Sequence, residues 1–368
     1  MTALLQTARA ALSYYAAIEG ASFDSQRDDS YTIRPLGDGL INDTFLVETS
    51  APKGVACAVL QRVNPLFGVA VHHDIEAVTR HLVRKQLCTP LLIRTRDDQL
   101  AVDLGPGDAG GVWRMLTYVE GQTFAKMTEA LAAPAGELTA RFHTAVSDLQ
   151  HRFHFVRAGA HDLQRHLRNL AVAVDKAQSE PAHETPPGFF ALADSIFTLA
   201  RDIPLQVPGP LRICHGDLKL NNLRFGDDGQ GLCLLDLDTL AQLPLGLELG
   251  DALRSWCNPA GEDRTDPQFD LSLLQRVLQG YMRIARSFIA VEERDYLILG
   301  TLRITTQLAA RFAADVVNQS YFRYDPSRYE SRAAHNYVRA QGQLALAQSL
   351  VMQRREAESL VQSAFSAA

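Results

Sequence analysis

Cysteines are few in this sequence, and long apolar runs are absent. The 368 residues include five widely spaced cysteines, with no C-x-x-C pair and no histidine cluster beside them. Neither a disulfide framework nor a zinc site is therefore predicted. No apolar stretch approaches the roughly 20 residues that span a bilayer, and the first 20 residues lack the apolar core of a secretory signal. These absences predict a cytoplasmic protein with reduced cysteines and no membrane partner.

An excess of basic residues and internal repeats are also missing. Lysine and arginine number 36 against 42 acidic residues, and the net charge is −6. The chain therefore lacks the basic field that nucleic-acid binding requires. We find no repeat of solenoid period, and a length of 368 residues favours two different lobes over one domain. We expect a two-lobed protein with a small-molecule partner and no nucleic-acid partner.

The first third of the chain is predicted to be mainly β. Its short β-type runs are separated by Gly, Pro and Asp clusters and cover residues 31–35, 43–49, 56–63, 100–102 and 112–117. One interruption, residues 71–86, has Ile75, Val78 and Leu82 on a single helical face. Together with a helical N-terminus, this predicts a first lobe over residues 1–117, an antiparallel sheet with one packed helix.

The remainder, residues 118–368, is predicted to be mainly helical and to carry the catalytic and substrate site. Helical periodicity covers residues 129–153, 161–176, 189–201, 271–285, 294–317 and 335–365. The exception is 211–238, where two short apolar strands enclose a loop rich in Asn, Gly and Asp. The fold class is therefore α+β, with a small β lobe before a larger α lobe.

The most informative motif is the polar loop between those two strands. It reads His215-Gly-Asp-Leu-Lys-Leu-Asn-Asn222. Phosphoryl transfer from ATP needs an aspartate to orient or accept the proton of the attacking hydroxyl, and oxygen ligands for Mg²⁺. The kinase spacing H-x-D-x-x-x-x-N makes Asp217 the candidate base and Asn222 a candidate metal ligand.

Four further residues of this region fit the same chemistry. Asp236 ends a buried strand 19 residues after Asp217, where kinases carry their second metal ligand. Lys219 is placed to reach the γ-phosphate. His215 is expected to support the loop by hydrogen bonding, while Asp238 fits either a contact near the metal and substrate or a helix cap.

A glycine-rich hairpin near the N-terminus is a candidate phosphate-binding element. It reads Gly37-Asp-Gly-Leu-Ile-Asn-Asp-Thr44, and glycines let backbone N–H groups approach phosphate oxygens. We assign nucleotide binding to Gly37, Gly39, Asn42 and Thr44. The alternative is an ordinary hairpin turn, and the segment is not a Walker A motif.

The strand after this hairpin has no lysine in the position where protein kinases carry one. Arg62 takes the phosphate-binding role in our interpretation, because its planar guanidinium suits phosphate; the alternative is a surface arginine. Glu76, on the following helix, is placed to pair with it. Backbone groups from about Met115 past Tyr118 are predicted to face the adenine ring.

These motifs resemble those of the aminoglycoside phosphotransferase and choline kinase superfamily, small-molecule kinases with a bilobal, protein-kinase-like fold. Further similarity to the N-acetylhexosamine 1-kinase branch lies in residues 39–45, 60–64, 215–222, 235–239, 250–254, 311–312, 318–322 and 335–340. The resemblance implies transfer of the ATP γ-phosphoryl group, with Mg²⁺, to the anomeric hydroxyl of an N-acetylhexosamine. It also implies that Arg311 and Tyr321 contact the sugar, and we assign Asp251 to the substrate site with them; for Arg311 the alternative is an ion pair with Asp251.

Other functions remain open at this stage. The acceptor is alternatively an amino sugar, an aminoglycoside, choline or N-acetylmuramate, and a nucleotide-binding pseudokinase scaffold is a further reading. A protein kinase fits less well, because the stretch between Asp236 and Asp251 is short and lacks an Ala-Pro-Glu ending. The C-terminal helical segment either packs on its own lobe or forms a dimer contact, so a monomer or a homodimer is expected.

Overall fold

The computed structural model describes residues 2–18, 21–22, 30–37, 42–51, 54–107, 110–180 and 185–366. The chain divides into two compact units. Unit 1 comprises Met1–Glu120 and Asp148–Val156, and unit 2 comprises Gly121–Ser147 and Arg157–Ala368. None of the helices in the described ranges is long and apolar enough to span a bilayer.

Unit 1 is built on an antiparallel sheet. Its elements are α1 (Thr2–Leu12), β1 (Ala17–Ile18), β2 (Ala21–Ser22), β3 (Tyr31–Pro35), β4 (Asp43–Ala51), β5 (Gly54–Arg62), α2 (Val71–Arg84), β6 (Leu92–Ile93), β7 (Val102–Asp103) and β8 (Val112–Thr117). The main sheet has the order β3-β4-β5-β8-β6, and β7 also pairs with β8. Leu12, Phe45 and Trp113 are buried in one core that joins α1 to the sheet.

Helix α2 lies where the hydrophobic spacing predicts it. Ile75, Val78 and Leu82 are buried on one face, as expected for an amphipathic helix. The helix ends at Arg84 rather than at Gln86, because Gln86 adopts a left-handed conformation with φ 60° that no regular helix continues.

Unit 2 is mainly helical. Its elements are α3 (Glu129–Val146), α4 (Leu163–Ser179), α5 (Phe189–Ala200), β9 (Leu211–Cys214), β10 (Leu223–Phe225), β11 (Gly231–Leu234), β12 (Ala241–Pro244), α6 (Leu245–Trp256), α7 (Leu271–Ala285), α8 (Val291–Asp295), α9 (Leu297–Asn318), α10 (Arg332–Met352) and α11 (Arg354–Ser366). Helix α9 is buried along most of its length and packs against α4, α6 and α10. Glycines permit its close crossing with α6, since a Cβ on Gly250 would lie 2.7 Å from the backbone of Gly300.

Two predicted helices end earlier than their periodicity suggests. Helix α3 stops at Val146, and residues 148–156 instead belong to unit 1. There the buried carboxylate of Asp74 accepts hydrogen bonds from the backbone N–H groups of His154 and Phe155. The predicted helix 335–365 is two helices, α10 and α11, separated at Gln353. Strand β6 and helix α6 have no counterpart among the predicted elements.

Candidate active site

The predicted catalytic loop follows β9 and is held by the segment after β11. The His215 ring contacts the carbonyl oxygen of Leu235 at 2.7 Å, and the Thr239 hydroxyl donates to the carbonyl oxygen of His215 at 2.8 Å. Gly216 has φ 81°, and a Cβ there would lie 2.3 Å from the carbonyl oxygen of Thr239. Glycine is therefore required at this close approach, and His215 has the supporting position that we predicted.

A buried carboxylate from α6 holds the same loop from the other side. Glu248 accepts hydrogen bonds from the backbone N–H groups of His215 and Gly216 at 2.7 and 2.8 Å. The ring of His143 is 3.3 Å from the same carboxylate. Burial acts to raise the pKa of Glu248, but the hydrogen bonds lower it below its ordinary value. Glu248 was not predicted; its only signal is an acidic residue placed directly between Leu247 and Leu249.

Within the loop, three predicted residues are in direct contact. Lys219 Nζ is 2.7 Å from Asp217 Oδ2, and Asn222 Nδ2 donates to the same oxygen at 3.1 Å and to the Asp217 carbonyl at 2.8 Å. Burial raises the pKa of Asp217, but the charge of Lys219 outweighs it and lowers the pKa to about 2. Asp217 is therefore ionised at neutral pH. The side-chain carbonyl oxygen of Asn222 takes no part in these two hydrogen bonds, which leaves it as a candidate metal ligand.

Asp236 completes what we call the loop cluster, which consists of Asp217, Lys219, Asn222 and Asp236. Asp236 follows β11 in a left-handed conformation, with φ 59° and ψ 60°. The backbone N–H of its neighbour Leu235 donates to the carbonyl oxygen of Asn222 at 2.7 Å. Burial lowers the pKa of Lys219, but the charge of Asp217 and, after it, that of Asp236 outweigh burial and raise the pKa. Asp238, two residues further on, is buried in a short 3-10 turn.

Asp251 pairs with an arginine that we did not predict. Its Oδ1 is 2.9 Å from Arg254 Nη2, and Arg254 also contacts Glu262 at 2.5 Å. Asp251 Oδ2 is buried and has no hydrogen-bond partner among the described residues. The ion pair between Arg311 and Asp251 that the alternative reading expected is not found; the arginine that contacts Asp251 is Arg254, one turn away on the same helix.

Arg311 and Tyr321 are in contact, as the resemblance implies. The guanidinium carbon of Arg311 lies 5.2 Å from the Tyr321 ring and 5.3 Å from the Phe322 ring. Arg157 also contacts Tyr321, because its guanidinium donates a hydrogen bond to the Tyr321 hydroxyl. Burial lowers the pKa of Arg311. In the described ranges Arg311 forms no hydrogen bond or ion pair, so its charge is opposed only by aromatic faces and more distant carboxylates.

Two more buried polar atoms near Arg311 lack partners in the described part of the chain, namely His161 Nδ1 and Gln307 Oε1. Gln307 lies one turn before Arg311 on α9 and donates to the carbonyl oxygen of Ala160 at 3.0 Å. Burial lowers the pKa of His161, so that its ring is neutral at pH 7. We call these residues the Arg311 cluster, which consists of Arg157, His161, Asp251, Gln307 and Arg311.

The hairpin residues of unit 1 are hydrogen-bonded within that unit. Asn42 Oδ1 accepts from the backbone N–H of Asn64 at 2.8 Å, and the Thr44 hydroxyl accepts from Gln61 at 3.2 Å. Gly37 is exposed, has φ 69° and has no atom near its Cβ position. Gly39 lies outside the described residues.

The expected pairing of Arg62 with Glu76 is not found. Arg62 Nη2 is 2.7 Å from Asp43 Oδ2, because the register of β4 and β5 sets these two residues opposite each other. Glu76 instead contacts Arg94 at 2.5 Å and Arg80 at 2.9 Å. Arg62 and Glu76 thus each form ion pairs with other residues.

The two predicted adenine-facing residues differ in environment. Met115 is fully buried in the unit 1 core, and its backbone lies between β5 and β6 in the sheet. Tyr118 is half-buried and lies just beyond the end of β8, where the sheet no longer flanks the backbone on both sides. Contact of either residue with the adenine ring stays a prediction.

Comparison with known proteins adds a family and a fold. Residues 32–286 match the model of the phosphotransferase enzyme family, APH. The fold is shared with a microcompartment-associated aminopropanol kinase, at 15% identity over 97% of this chain and 99% of the other with a TM-score of 0.61. It is also shared with an aminoglycoside phosphotransferase from Alicyclobacillus acidocaldarius, at 16% identity over 95% and 96% of the two chains with a TM-score of 0.58.

A third structure with this fold is the choline kinase of Cryptosporidium parvum, at 12% identity over 96% and 95% of the two chains with a TM-score of 0.58. The predicted α+β, kinase-like fold class is therefore confirmed. The predicted superfamily is confirmed as well, while the N-acetylhexosamine 1-kinase branch stays a prediction. The family match extends from β3 to the end of α7, well over half of the sequence, and the chain therefore belongs to the phosphotransferase enzyme family.

Proposed function

We propose that this phosphotransferase uses ATP and Mg²⁺ to phosphorylate the anomeric hydroxyl of an N-acetylhexosamine, giving a sugar 1-phosphate. The observation that carries the proposal is the loop cluster. It combines an ionised aspartate, a lysine in contact with it and the amide oxygen of Asn222 within one anchored loop, together with the carboxylate of Asp236 in the segment that holds this loop. These are the groups that phosphoryl transfer from ATP requires.

Asp217 would act first by orientation. With a pKa of about 2 it is a weak base, so it accepts a hydrogen bond from the acceptor hydroxyl and takes the proton only late. The acceptor oxygen bonds to the γ-phosphorus while the bond to the β,γ-bridging oxygen breaks. An anomeric hydroxyl is more acidic than an ordinary alcohol, which suits a weak base. Lys219 would balance the charge that develops on the transferred oxygens.

Asn222 and Asp236 are the residues that would hold Mg²⁺. Carboxylate and amide oxygens are the ligands that this hard cation prefers, and Asn222 already uses its amide nitrogen for Asp217. The bound ion supplies neutralisation of phosphate charge. The remaining contribution of the chain is positioning, since Glu248 fixes the two backbone amides that precede Asp217.

The Arg311 cluster supports a neutral, hydroxyl-rich acceptor. Arg157 and Arg311 bring positive charge to this region, which disfavours cations such as choline or an aminoglycoside. Buried polar atoms without partners are costly, and the hydroxyl groups of a sugar would donate to the acceptors Asp251 Oδ2 and Gln307 Oε1. The N–H of an acetamido group is a further donor of this kind. The Tyr321 ring offers an apolar face for the C–H groups of a sugar ring.

A second candidate acceptor is an N-acetyl sugar that carries a carboxylate, such as N-acetylmuramate. The same observation favours it, because Arg311 has no anionic partner within hydrogen-bond distance among the described residues, and arginine binds carboxylates in a bidentate manner. The two candidates share the anomeric hydroxyl and differ only in this substituent.

The test is phosphorus NMR of the purified protein with ATP, Mg²⁺ and, separately, N-acetylglucosamine, N-acetylgalactosamine, N-acetylmuramate, glucosamine and choline. We expect a new phosphomonoester coupled to the anomeric proton with at least one N-acetyl sugar. Asp217→Asn should abolish it. The matched control is Asp228→Asn, the same chemical change at an exposed position in the β10–β11 turn. Product from choline alone would overturn the proposed acceptor class.

A further inference from the structure

Unit 1 contains a group of potential metal ligands that phosphoryl transfer does not use. Asp74, in the first turn of α2, is buried. Its Oδ1 lies 2.7 Å from His151 Nε2 and 3.1 Å from His154 Nδ1. The three ligand atoms all lie within 4.8 Å of one another. Two imidazoles and one carboxylate thus converge from a helix and from the 148–156 segment that packs on it.

The separations match those of ligands around a transition metal. Bonds of about 2.1 Å from zinc to nitrogen or oxygen, at angles between octahedral and tetrahedral, set ligand atoms about 3.0 to 3.4 Å apart. The observed 3.1 Å lies within this range, and the observed 2.7 Å is shorter by a few tenths of an ångström. Imidazole together with carboxylate suits Zn²⁺ and its neighbours, whereas Mg²⁺ prefers oxygen ligands and keeps its waters.

The backbone around the group is already ordered for binding. Asp74 accepts hydrogen bonds from the backbone N–H of His154 at 2.9 and 3.1 Å and from that of Phe155 at 2.9 Å. Such bonds to a ligating carboxylate are the usual outer support of a metal site. The His154 side chain is 54% exposed, so an ion has a path from solvent. The exposed His73 ring lies 5.5 Å from that of His154 and is the nearest candidate for a fourth ligand.

From this geometry we propose that unit 1 binds a divalent transition metal, with Zn²⁺ as the representative ion, through Asp74 Oδ1, His151 Nε2 and His154 Nδ1. The ion would replace the two imidazole N–H···O contacts by coordination. It would link α2 to the 148–156 segment and stabilise the folded state, since the unfolded chain does not hold these groups together. The proposal is independent of the proposed acceptor.

The other group of potential ligands in the described ranges does not share these properties. His143, Cys214 and Glu248 are fully buried, and both oxygens of Glu248 already accept backbone N–H groups of the catalytic loop. Burial also raises the pKa of the Cys214 thiol, which disfavours the thiolate that a metal needs. This group is structural.

The test is equilibrium dialysis of the full-length protein against Zn²⁺ in the presence of a large excess of Mg²⁺, followed by metal analysis. We expect one Zn²⁺ per chain at micromolar affinity. The test variant combines His151→Gln with His154→Asn, which keep a nitrogen donor near the ε and δ positions and so preserve the hydrogen bonds to Asp74. Amide nitrogens do not ligate zinc, so the affinity should fall by about tenfold or more.

The matched control is His81→Gln, since His81 contacts Asp148 in the same segment but lies outside the ligand group. It should bind Zn²⁺ as the wild type does. As a second readout, Zn²⁺ but not Mg²⁺ should raise the melting temperature of the wild type and of His81→Gln, and not that of the double variant. Absence of bound Zn²⁺ in the wild type, or unchanged binding by the double variant, would overturn the proposal.

Discussion

Two groups of polar side chains in unit 2 differ in how completely their atoms are paired. Among the described residues, no buried side-chain nitrogen or oxygen of the loop cluster lacks a hydrogen-bond partner. In the Arg311 cluster, by contrast, Asp251 Oδ2, His161 Nδ1 and Gln307 Oε1 are buried without one. Arg311 lies against the Tyr321 and Phe322 rings and forms no hydrogen bond in the described ranges.

The difference indicates different roles. Leaving a buried polar atom unpaired costs about 1–3 kcal/mol, and a protein retains such atoms where a ligand completes them. A group that is paired in the free protein is fixed in geometry before substrate arrives. We therefore interpret the loop cluster as preorganised machinery and the Arg311 cluster as a surface whose hydrogen bonds the acceptor completes.

The largest expected effect comes from removing the charge at the centre of the paired group. Asp217→Asn keeps the shape but abolishes the ion pair with Lys219 and the acceptor for the substrate hydroxyl. We expect kcat to fall by about 10²- to 10⁴-fold, with little change in the affinity for ATP. Steady-state kinetics together with nucleotide-binding calorimetry would check this. A loss of activity below tenfold would show that Asp217 is not the orienting group.

The next largest effects are expected on the free energy of unfolding, which substitutions of Arg254 and Arg311 should change differently. Arg254→Met leaves Asp251 as an uncompensated buried charge and should lower the free energy of unfolding by about 3–5 kcal/mol. Arg311→Met removes a charge without an ionic partner in the described ranges and keeps an apolar stem of similar length. Its free energy of unfolding should stay unchanged or rise.

The KM for the acceptor provides a second test of the role of Arg311. Arg311→Met should raise KM for the acceptor about tenfold while KM for ATP is unchanged, as expected for the loss of one charge-assisted hydrogen bond. Urea unfolding and acceptor titrations of both proteins would provide the measurements. Equal destabilisation by both substitutions would contradict the difference between Arg254, which has ionic partners, and Arg311, which has none in the described ranges.

A smaller effect is expected where the loop is anchored. Glu248→Gln replaces one acceptor oxygen by an N–H donor that faces the backbone N–H groups of His215 or Gly216. Loss of a charged hydrogen bond costs about 1.5–3 kcal/mol, and kcat should fall with it because Asp217 is then less well held. Exposed Glu292→Gln on α8 is the control and should change neither quantity. A fall in melting temperature without a fall in kcat would limit Glu248 to stability.

The parts of the molecule that the sequence predicted well are those set by local spacing. Asp217, Lys219 and Asn222 lie within six residues of one another, so a single loop conformation brings them together. The heptad-like spacing of α2 and the strand runs of unit 1 are local in the same sense. Glu248 lies on another helix, and no spacing rule connects it to His215.

The predictions that failed depend on contacts between distant segments. Pairing of Arg62 with Glu76 required knowledge of the β4–β5 register, which sets Asp43 opposite Arg62. The end of α3 follows from Asp74, more than 70 residues earlier, which binds the chain just beyond that helix. No glycine or proline marks the break at Gln353 between α10 and α11, so periodicity alone continues the helix.

The smallest effect concerns acid pH, and it tests the pairing of the loop cluster without substrate. The pKa of Asp217 is lowered from 3.8 to about 2 in the folded protein, so the folded state favours the carboxylate more than the unfolded chain does. This stability is present above about pH 4 and is lost as pH falls through about 2. Asp217→Asn lacks the titrating group, so the difference in melting temperature between the two proteins should shift in favour of the variant between pH 4 and 2. A difference in melting temperature that is constant over this range would show that Lys219 and Asp217 are not paired in solution. The interpretation of the loop cluster as preorganised would then be wrong.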